Sequence, residues 1–186
     1  MHMIFRTMMV MARARRRAKR GDTVGFFDVG YLTLRTLPTD LDVLWHMNNG
    51  VYLSIFDLGR FDLMVRNGMW DQFQERGWYP VVSSQSVTYR KSLRLWQRFT
   101  VETRVIGMDE KAGYIEHRMV VNGEIYTRAI MKARFLRKSG GTVPISELME
   151  AVGIPDPRLP MEEWIEPWGA AVALPPTKAP APSEWD

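Results

Sequence analysis

The sequence predicts an α+β domain in which one antiparallel β-sheet wraps around a single long, buried α-helix. The stretch from about Asn49 to Asn67 is apolar on nearly every face, which is typical of a helix enclosed by other elements. Four consecutive segments after it alternate apolar and polar residues, as strands with one buried face do. The links between them are short and turn-like, which favours antiparallel neighbours.

The elements before the sheet follow from local signals. Alternation over Tyr31–Leu37 predicts a first strand, which Pro38 ends. Gly68 is a typical carboxyl-terminal signal for the long helix. A short second helix is expected over Met69–Arg76.

The remaining strands follow in sequence, and the Asn122-Gly123 pair between the last two is a strong hairpin signal. A short helix is expected over Ser146–Val152. The four strands are predicted at Val81–Tyr89, Phe99–Ile106, Tyr114–Val121 and Glu124–Leu136.

The organisation is predicted as a basic amino-terminal arm or helix (1–25), the α+β domain (26–140), a helical extension (141–172) and a proline-rich disordered tail (173–186). Residues 1–20 hold seven of the 25 basic residues and no acidic one. The rest of the chain therefore carries 18 basic against 21 acidic residues, a net charge of −3. This body lacks the basic character of a nucleic-acid-binding domain, so no nucleic-acid partner is expected.

The arm combines apolar residues with a basic end, and its apolar run is too short to span a bilayer. One interpretation is a solvated or dimer-packing helix. The other is a peripheral membrane anchor, because interfacial helices use this composition. The expected location is cytoplasmic, with membrane-peripheral attachment left open.

Several chemistries lack their motifs. The chain has no cysteine, and its three histidines are not clustered, so no metal site is predicted. Phosphate-binding glycine loops, the nucleophile-elbow motif and the His-Glu-x-x-His motif do not occur.

The most informative segment is Thr39–Tyr52, at the predicted start of the long helix. It contains two carboxylates, one imidazole and two carboxamides. A helix start offers unpaired N–H groups and partial positive charge. The segment therefore predicts a reaction centre for a carbonyl compound, with its polar side chains at Asp40, Asp42, His46, Asn48 and Asn49.

Together with the order of elements, these residues resemble the hotdog-fold acyl-CoA thioesterases of the 4-hydroxybenzoyl-CoA thioesterase-like superfamily. The resemblance is greatest to the subgroup that includes thioesterase superfamily member six. It covers roughly residues 30–140 and also includes Tyr52-Leu53, Asp57 with Arg60, the run from Arg90 to Leu95, and Gly107 to Glu110.

The resemblance implies hydrolysis of an acyl-CoA thioester to free acid and coenzyme A, without metal or cofactor, by a homodimer or homotetramer. It places the thioester carbonyl over the start of the central helix and matches Asp42 to the catalytic carboxylate. Some related hydrolases carry a histidine seven residues after this Asp, where this chain has Asn49. A non-catalytic acyl-binding or membrane-surface scaffolding protein is the alternative.

The roles within the site stay partly open. Asp42 acts either as general base or as nucleophile, and His46 either orients water or is structural. Backbone N–H groups from Asn48 to Gly50 are expected to stabilise the oxyanion, although Asn48 and Asn49 are also good helix caps. Asp40 is interpreted as a turn former.

Substrate binding is assigned to Tyr52 and Gly50 and, for the phosphates of coenzyme A, to Arg90, Lys91 and Arg94. A solvated turn is the alternative for those three cations. Asp57 and Arg60 are interpreted as a buried structural pair rather than as a second catalytic centre, because an Asp beside an arginine stays ionised.

Overall fold

The computed structural model describes residues 2–154, 161–176 and 178–183. Its five helices are α1 (His2–Lys19), α2 (Asn49–Arg66), α3 (Met69–Arg76), α4 (Ile145–Val152) and α5 (Ile165–Ala171). Its five strands are β1 (Gly30–Arg35), β2 (Trp78–Tyr89), β3 (Arg98–Met108), β4 (Gly113–Val121) and β5 (Glu124–Arg137).

The strands form one antiparallel sheet in the order β1-β3-β4-β5-β2, so β1 and β2 are its edges. The long helix α2 packs on one face of this sheet. At Gly59 a Cβ atom would lie only 2.5 Å from Thr103 Oγ1 and 2.9 Å from Val101 Cγ1, so glycine is what lets α2 cross β3 this closely. The predicted α+β fold with a buried central helix is confirmed.

The amino-terminal arm packs against the rest of the same chain. Val10 and Ala14 of α1 are buried, and two arginines of the same helix point inward. Arg6 pairs with the buried Asp40, and Arg17 lies 3.5 Å from Asp62 of α2. The interpretation as a solvated helix is therefore wrong for the face of α1 that carries these residues. The opposite face of α1 is exposed.

The carboxyl-terminal extension contributes two more contacts. Ile145 and Leu148 of α4 pack with Phe73 and Phe135 at one end of the sheet. Ile165 of α5 packs with residues of β4 and β5.

The predicted disordered tail is only partly described, and positions 173–176 and 178–183 form no helix or strand. Thr177 and residues 184–186 lie outside the described residues, as do residues 155–160 of the predicted extension. In the described part of the chain, no helix combines the length and apolarity needed to cross a membrane.

Candidate functional site at the start of α2

A buried carboxylate holds the loop that leads into α2. Asp40 ends a short 3₁₀ helix and is fully buried. One of its oxygens accepts the Leu37 N–H at 2.9 Å, and its carbonyl oxygen accepts the Asn48 N–H at 2.9 Å. Because Arg6 also binds this carboxylate, Asp40 is an anchor between α1 and the loop, a role that its interpretation as a turn former missed.

Asp42 and His46 face each other across a tight turn. The backbone closes this turn through the Asp42 N–H, which donates to the His46 carbonyl oxygen at 2.9 Å. Asp42 Oδ1 accepts the Leu44 N–H at 2.9 Å, and Oδ2 lies 3.3 Å from His46 Nδ1. Both side chains are partly exposed, 23% for Asp42 and 32% for His46. The structure thus brings these two predicted residues together.

The surroundings of His46 fix its tautomer. Nδ1 lies near two acceptors, Asp42 Oδ2 and the Met47 carbonyl oxygen, the latter at 3.4 Å. A nitrogen facing only acceptors carries the proton, so Nε2 of the neutral ring keeps its lone pair. Nε2 is therefore the atom of His46 that can accept a proton.

The backbone at the start of α2 offers one open donor. Asn48 is the N-cap, and its Oδ1 accepts the Gly50 N–H at 2.8 Å. The N–H of Asn48 is bound to Asp40, so neither Asn48 nor Gly50 has an N–H available for an oxyanion, contrary to the prediction. Among the described residues, the N–H of Asn49 has no acceptor, and Asn48, Asn49 and Gly50 are all exposed.

Two tyrosines lie beside the start of α2. Tyr52 is only 2% exposed, and its hydroxyl accepts the Leu93 N–H at 3.1 Å. Burial raises the pKa of Tyr52, and the charge of Asp42 raises it further. The ring of Tyr89 packs edge-on against Tyr52 at 5.1 Å, and its hydroxyl donates to the Asn49 carbonyl oxygen. Tyr52, which was predicted to bind substrate, is thus buried. Tyr89, to which the sequence assigned no role of its own, is the exposed tyrosine beside Asn49.

The three predicted phosphate-binding cations do not form one cluster. Arg90 and Lys91 each lie 2.7 Å from a carboxylate oxygen of Glu124, and hydrogen bonds from Lys91 and then Arg90 lower the pKa of Glu124. Arg90 and Lys91 are exposed, and Glu124 is half-buried. Arg94 pairs through its backbone with His46, which places it beside the Asp42 turn.

A series of hydrogen-bonded polar side chains extends into the core about two turns further along α2. The predicted pairing of Asp57 with Arg60 is confirmed, but only Arg60 is largely buried, because Asp57 is 52% exposed. Arg60 Nη1 donates to His117 Nε2 at 3.2 Å, and His117 Nδ1 donates to Thr103 Oγ1 at 2.9 Å. Burial lowers the pKa of Arg60 to about 10, and burial together with the Arg60 charge lowers that of His117. His117 is therefore neutral and structural.

An apolar cavity of about 400 Å³ adjoins the Asp57–Arg60 pair. It lies between α2, α3 and the sheet, and Asp57 and Arg60 supply charged groups in its lining. Its other lining residues are mainly aromatic and aliphatic, and include Phe61, Met64, Trp70 and Phe135. Such a cavity is suited to an apolar group rather than to a polar one.

The described residues contain no group of three or more histidine, cysteine, aspartate or glutamate side chains suited to holding a metal ion. At the start of α2 the structure brings together the Asp42–His46 pair and the open Asn49 N–H. These groups can activate water and stabilise an oxyanion.

A sequence model of the thioesterase-like superfamily matches residues 36–168. The chain belongs to this superfamily. Its matched region includes the Asp42 turn, all of α2 and the whole of β2 to β5.

Two curated relatives of the chain, from two vertebrates, carry the same name. "Protein THEM6" of Xenopus laevis is 39% identical over 98 residues, which is 53% of this chain and 47% of that protein. "Protein THEM6" of Danio rerio is 32% identical over 133 residues, which is 70% of this chain and 66% of that protein. The chain thus spans about half to two thirds of the length of the curated relatives it matches.

Two solved structures, one of a probable thioesterase and one of a protein in complex with CoA, share the fold. The probable thioesterase YbaW of Escherichia coli has a TM-score of 0.62 at 19% identity, covering 66% of this chain and 95% of that one. The protein SAV2348 of Staphylococcus aureus, solved in complex with CoA, has a TM-score of 0.59 at 16% identity, covering 82% and 99%. The hotdog fold expected from the resemblance is confirmed.

Proposed function

We propose that this chain hydrolyses an acyl-CoA thioester to the free acid and coenzyme A. The observation that carries the proposal is the Asp42–His46 pair, in which Asp42 Oδ2 lies 3.3 Å from His46 Nδ1. This pair lies at the start of a helix where the Asn49 N–H has no acceptor among the described residues. Membership of the thioesterase-like superfamily and the CoA complex of a protein with the same fold support the proposal.

The proton acceptor in this proposal is Nε2 of His46. Asp42 Oδ2 and the Met47 carbonyl oxygen both face Nδ1 and keep the proton there. Nε2 can therefore take a proton from water as the water oxygen attacks the thioester carbon. The carbon–sulfur bond then breaks, and the proton on Nε2 passes to the leaving thiolate. Direct attack by Asp42 is the competing pathway, but both of its oxygens already face partners in the turn.

The charge that develops on the carbonyl oxygen would be stabilised by the Asn49 N–H. This N–H lies in the first turn of α2, where the aligned peptide dipoles add partial positive charge. One such donor contributes on the order of 3 kcal/mol to transition-state stabilisation in acyl-transfer enzymes.

The two ends of the substrate would use different surfaces. We propose that the acyl group enters the apolar cavity beside Asp57 and Arg60. Different phosphates of coenzyme A would bind Arg90 with Lys91 and, separately, Arg94 beside the Asp42 turn. One carboxylate, Glu124, faces both Arg90 and Lys91, so this pair keeps a net positive charge.

A homo-oligomer is part of the proposal. The edge strand β2 is 12 residues long and pairs only with β5 among the described residues. Tyr79 and Val81 on this strand are 39% and 38% exposed. A long edge with exposed apolar residues favours pairing with another strand, and a second copy of this chain would supply one.

The test is turnover of a panel of acyl-CoA substrates by Asp42→Asn, His46→Gln and the double variant. Because the two residues act as one unit, each single change should lower kcat by roughly the same factor, and the double change should add little. Asp71→Asn, an exposed aspartate on α3, is the matched control and should keep full turnover.

Two results would contradict the proposal. If His46→Gln keeps full activity while Asp42→Asn is inactive, Asp42 alone activates the water, and the role proposed for His46 is wrong. If the unchanged chain binds acyl-CoA in calorimetry but releases no thiol, it is an acyl-binding protein and not a hydrolase.

A further inference from the structure

The outward face of α1 has two distinct halves. Its first half presents four exposed apolar side chains, with exposed fractions of 63% for Ile4, 68% for Phe5, 63% for Met8 and 64% for Met9. Its second half presents only small or basic side chains, and its exposed cations are Arg13, Arg15, Arg16 and Lys19, with the exposed Arg20 directly after the helix. These halves follow one another on one side of the helix, because Phe5, Met9 and Arg16 are separated by multiples of about one turn.

The outward cations differ from the inward ones in their partners. Arg6 and Arg17 bind Asp40 and Asp62 and hold the helix to the body. In the described ranges, no carboxylate lies within 4.0 Å of a charged nitrogen of Arg13 or Arg16. The outward face is therefore a positive surface that nothing in the described chain neutralises.

A second exposed apolar group lies at the same end of the molecule. The turn between Asp42 and His46 presents Val43, Leu44 and Trp45, which are 92%, 71% and 74% exposed. The contacts that join this turn to α1 pass through Asp40, whose carboxylate binds Arg6. Asp40 is two residues before the turn.

Trp96 adds to this exposed group. It is 52% exposed, and its backbone N–H donates to the Thr36 carbonyl oxygen. The neighbouring carbonyl oxygen, that of Arg35, accepts a hydrogen bond from Arg6 of α1. The backbone at Trp96 is thus joined to Arg6 of α1 through the strand end at residues 35 and 36.

We propose that the outward face of α1, together with the 43–45 turn and Trp96, docks the protein on an anionic phospholipid bilayer. The apolar half and the two indoles would enter the interfacial region, where tryptophan is favoured. The cations would lie over anionic headgroups, each contributing about 1 kcal/mol near such a surface. Charge complementarity selects this occupant, because the face is basic and apolar whereas the body of the chain has a net charge of −3.

This docking would place the Asp42–His46 pair at the bilayer, because the inserted turn is the one that these two residues close. An acyl chain partitioned in the membrane would then be close to the start of α2. The docking itself does not depend on hydrolysis, so it can be measured with a catalytically inactive chain.

The experiment is flotation of the full chain with phosphatidylcholine vesicles, with and without phosphatidylglycerol. Binding should require the anionic lipid and weaken at high salt. Arg13→Gln with Arg16→Gln should reduce partitioning about 30-fold, from two lost headgroup interactions. Arg134→Gln with Lys138→Gln is the matched control, since both residues are exposed elsewhere on the chain, and it should partition like the unchanged protein.

A second pair of changes tests the apolar part. Phe5→Ser with Met9→Ser should abolish most vesicle binding, while light scattering shows an unchanged oligomeric state. If these changes instead alter the oligomeric state and leave flotation as before, the face is an interface between copies and the proposal is wrong. Equal losses in the Arg13/Arg16 and Arg134/Lys138 variants, or no binding to anionic vesicles, would also overturn it.

Discussion

Nη1 of Arg6 donates to both carboxylate oxygens of Asp40, at 2.8 and 2.9 Å. The side chains are 8% and 0% exposed, so the pair is shielded from solvent. It joins the amino-terminal helix to the loop that carries Asp42, two residues later. The position of the candidate site is therefore tied to a helix that is far from it in sequence.

Arg6→Leu should strongly destabilise the fold. Removing Arg6 takes the bound cation away from a buried carboxylate, which costs about 3 kcal/mol or more in the free energy of unfolding. Urea unfolding monitored by circular dichroism measures the change. Arg15→Leu on the exposed face of α1 is the matched control and should change the free energy of unfolding by less than about 0.5 kcal/mol. If Arg6→Leu and Arg15→Leu have equal effects, the Arg6–Asp40 pair does not contribute to stability beyond an exposed arginine.

Asn49→Pro should lower kcat about 100-fold while the chain stays folded. Proline at the first position of a helix removes only an N–H that has no intrahelical partner, and here that N–H is the proposed oxyanion donor. Steady-state release of coenzyme A measures the loss. Asn49→Ala keeps the N–H and changes only the side chain, so an equal loss in both variants would place the effect in the side chain instead.

Met64→Trp should change substrate preference by acyl length. The larger side chain fills part of the 400 Å³ cavity, so kcat/KM for long acyl groups should fall on the order of 10-fold. Acetyl-CoA does not need this space and serves as the internal control. A uniform loss for both substrates would show that the acyl group binds elsewhere.

His117 should make stability depend on pH. Its pKa in the folded state is depressed below 6.5 by burial and by Arg60, so the unfolded chain takes up the proton first. Stability should be fully present above about pH 6.5 and fall as the pH drops below it, by up to about 1.4 kcal/mol per pH unit. Urea unfolding across this range measures the slope.

His117→Gln should remove the contribution of this histidine to the slope. Its carboxamide can still accept from Arg60 and donate toward Thr103, but it does not titrate. An identical pH dependence in this variant and in the unchanged chain would show that other groups cause it.

The fold was largely predictable because its signals are local. The helix that is apolar on all sides, the period-two strands and the Asn122-Gly123 turn each indicate one element. The main difference is the start of β2, which begins at Trp78 rather than at Val81. Helix α5 was included in the predicted helical extension without bounds of its own.

The site was less predictable because its decisive contacts are between distant residues. The sequence pointed to Asp42 and His46, and the structure brings these two together. It could not show that Asp40 is committed to Arg6, 34 residues earlier. Nor could it show which N–H groups stay open at the start of α2, since that depends on where the Asn48 side chain points.

Trp45 adopts a left-handed backbone conformation, with φ of 60°. For a residue other than glycine this conformation is disfavoured by roughly 1 kcal/mol, and the indole does not recover that energy by burial because it projects into solvent. Glycine would fit the same turn without strain. In the isolated fold this tryptophan therefore costs stability that a glycine would not cost, and its indole is available to a surface outside the described chain.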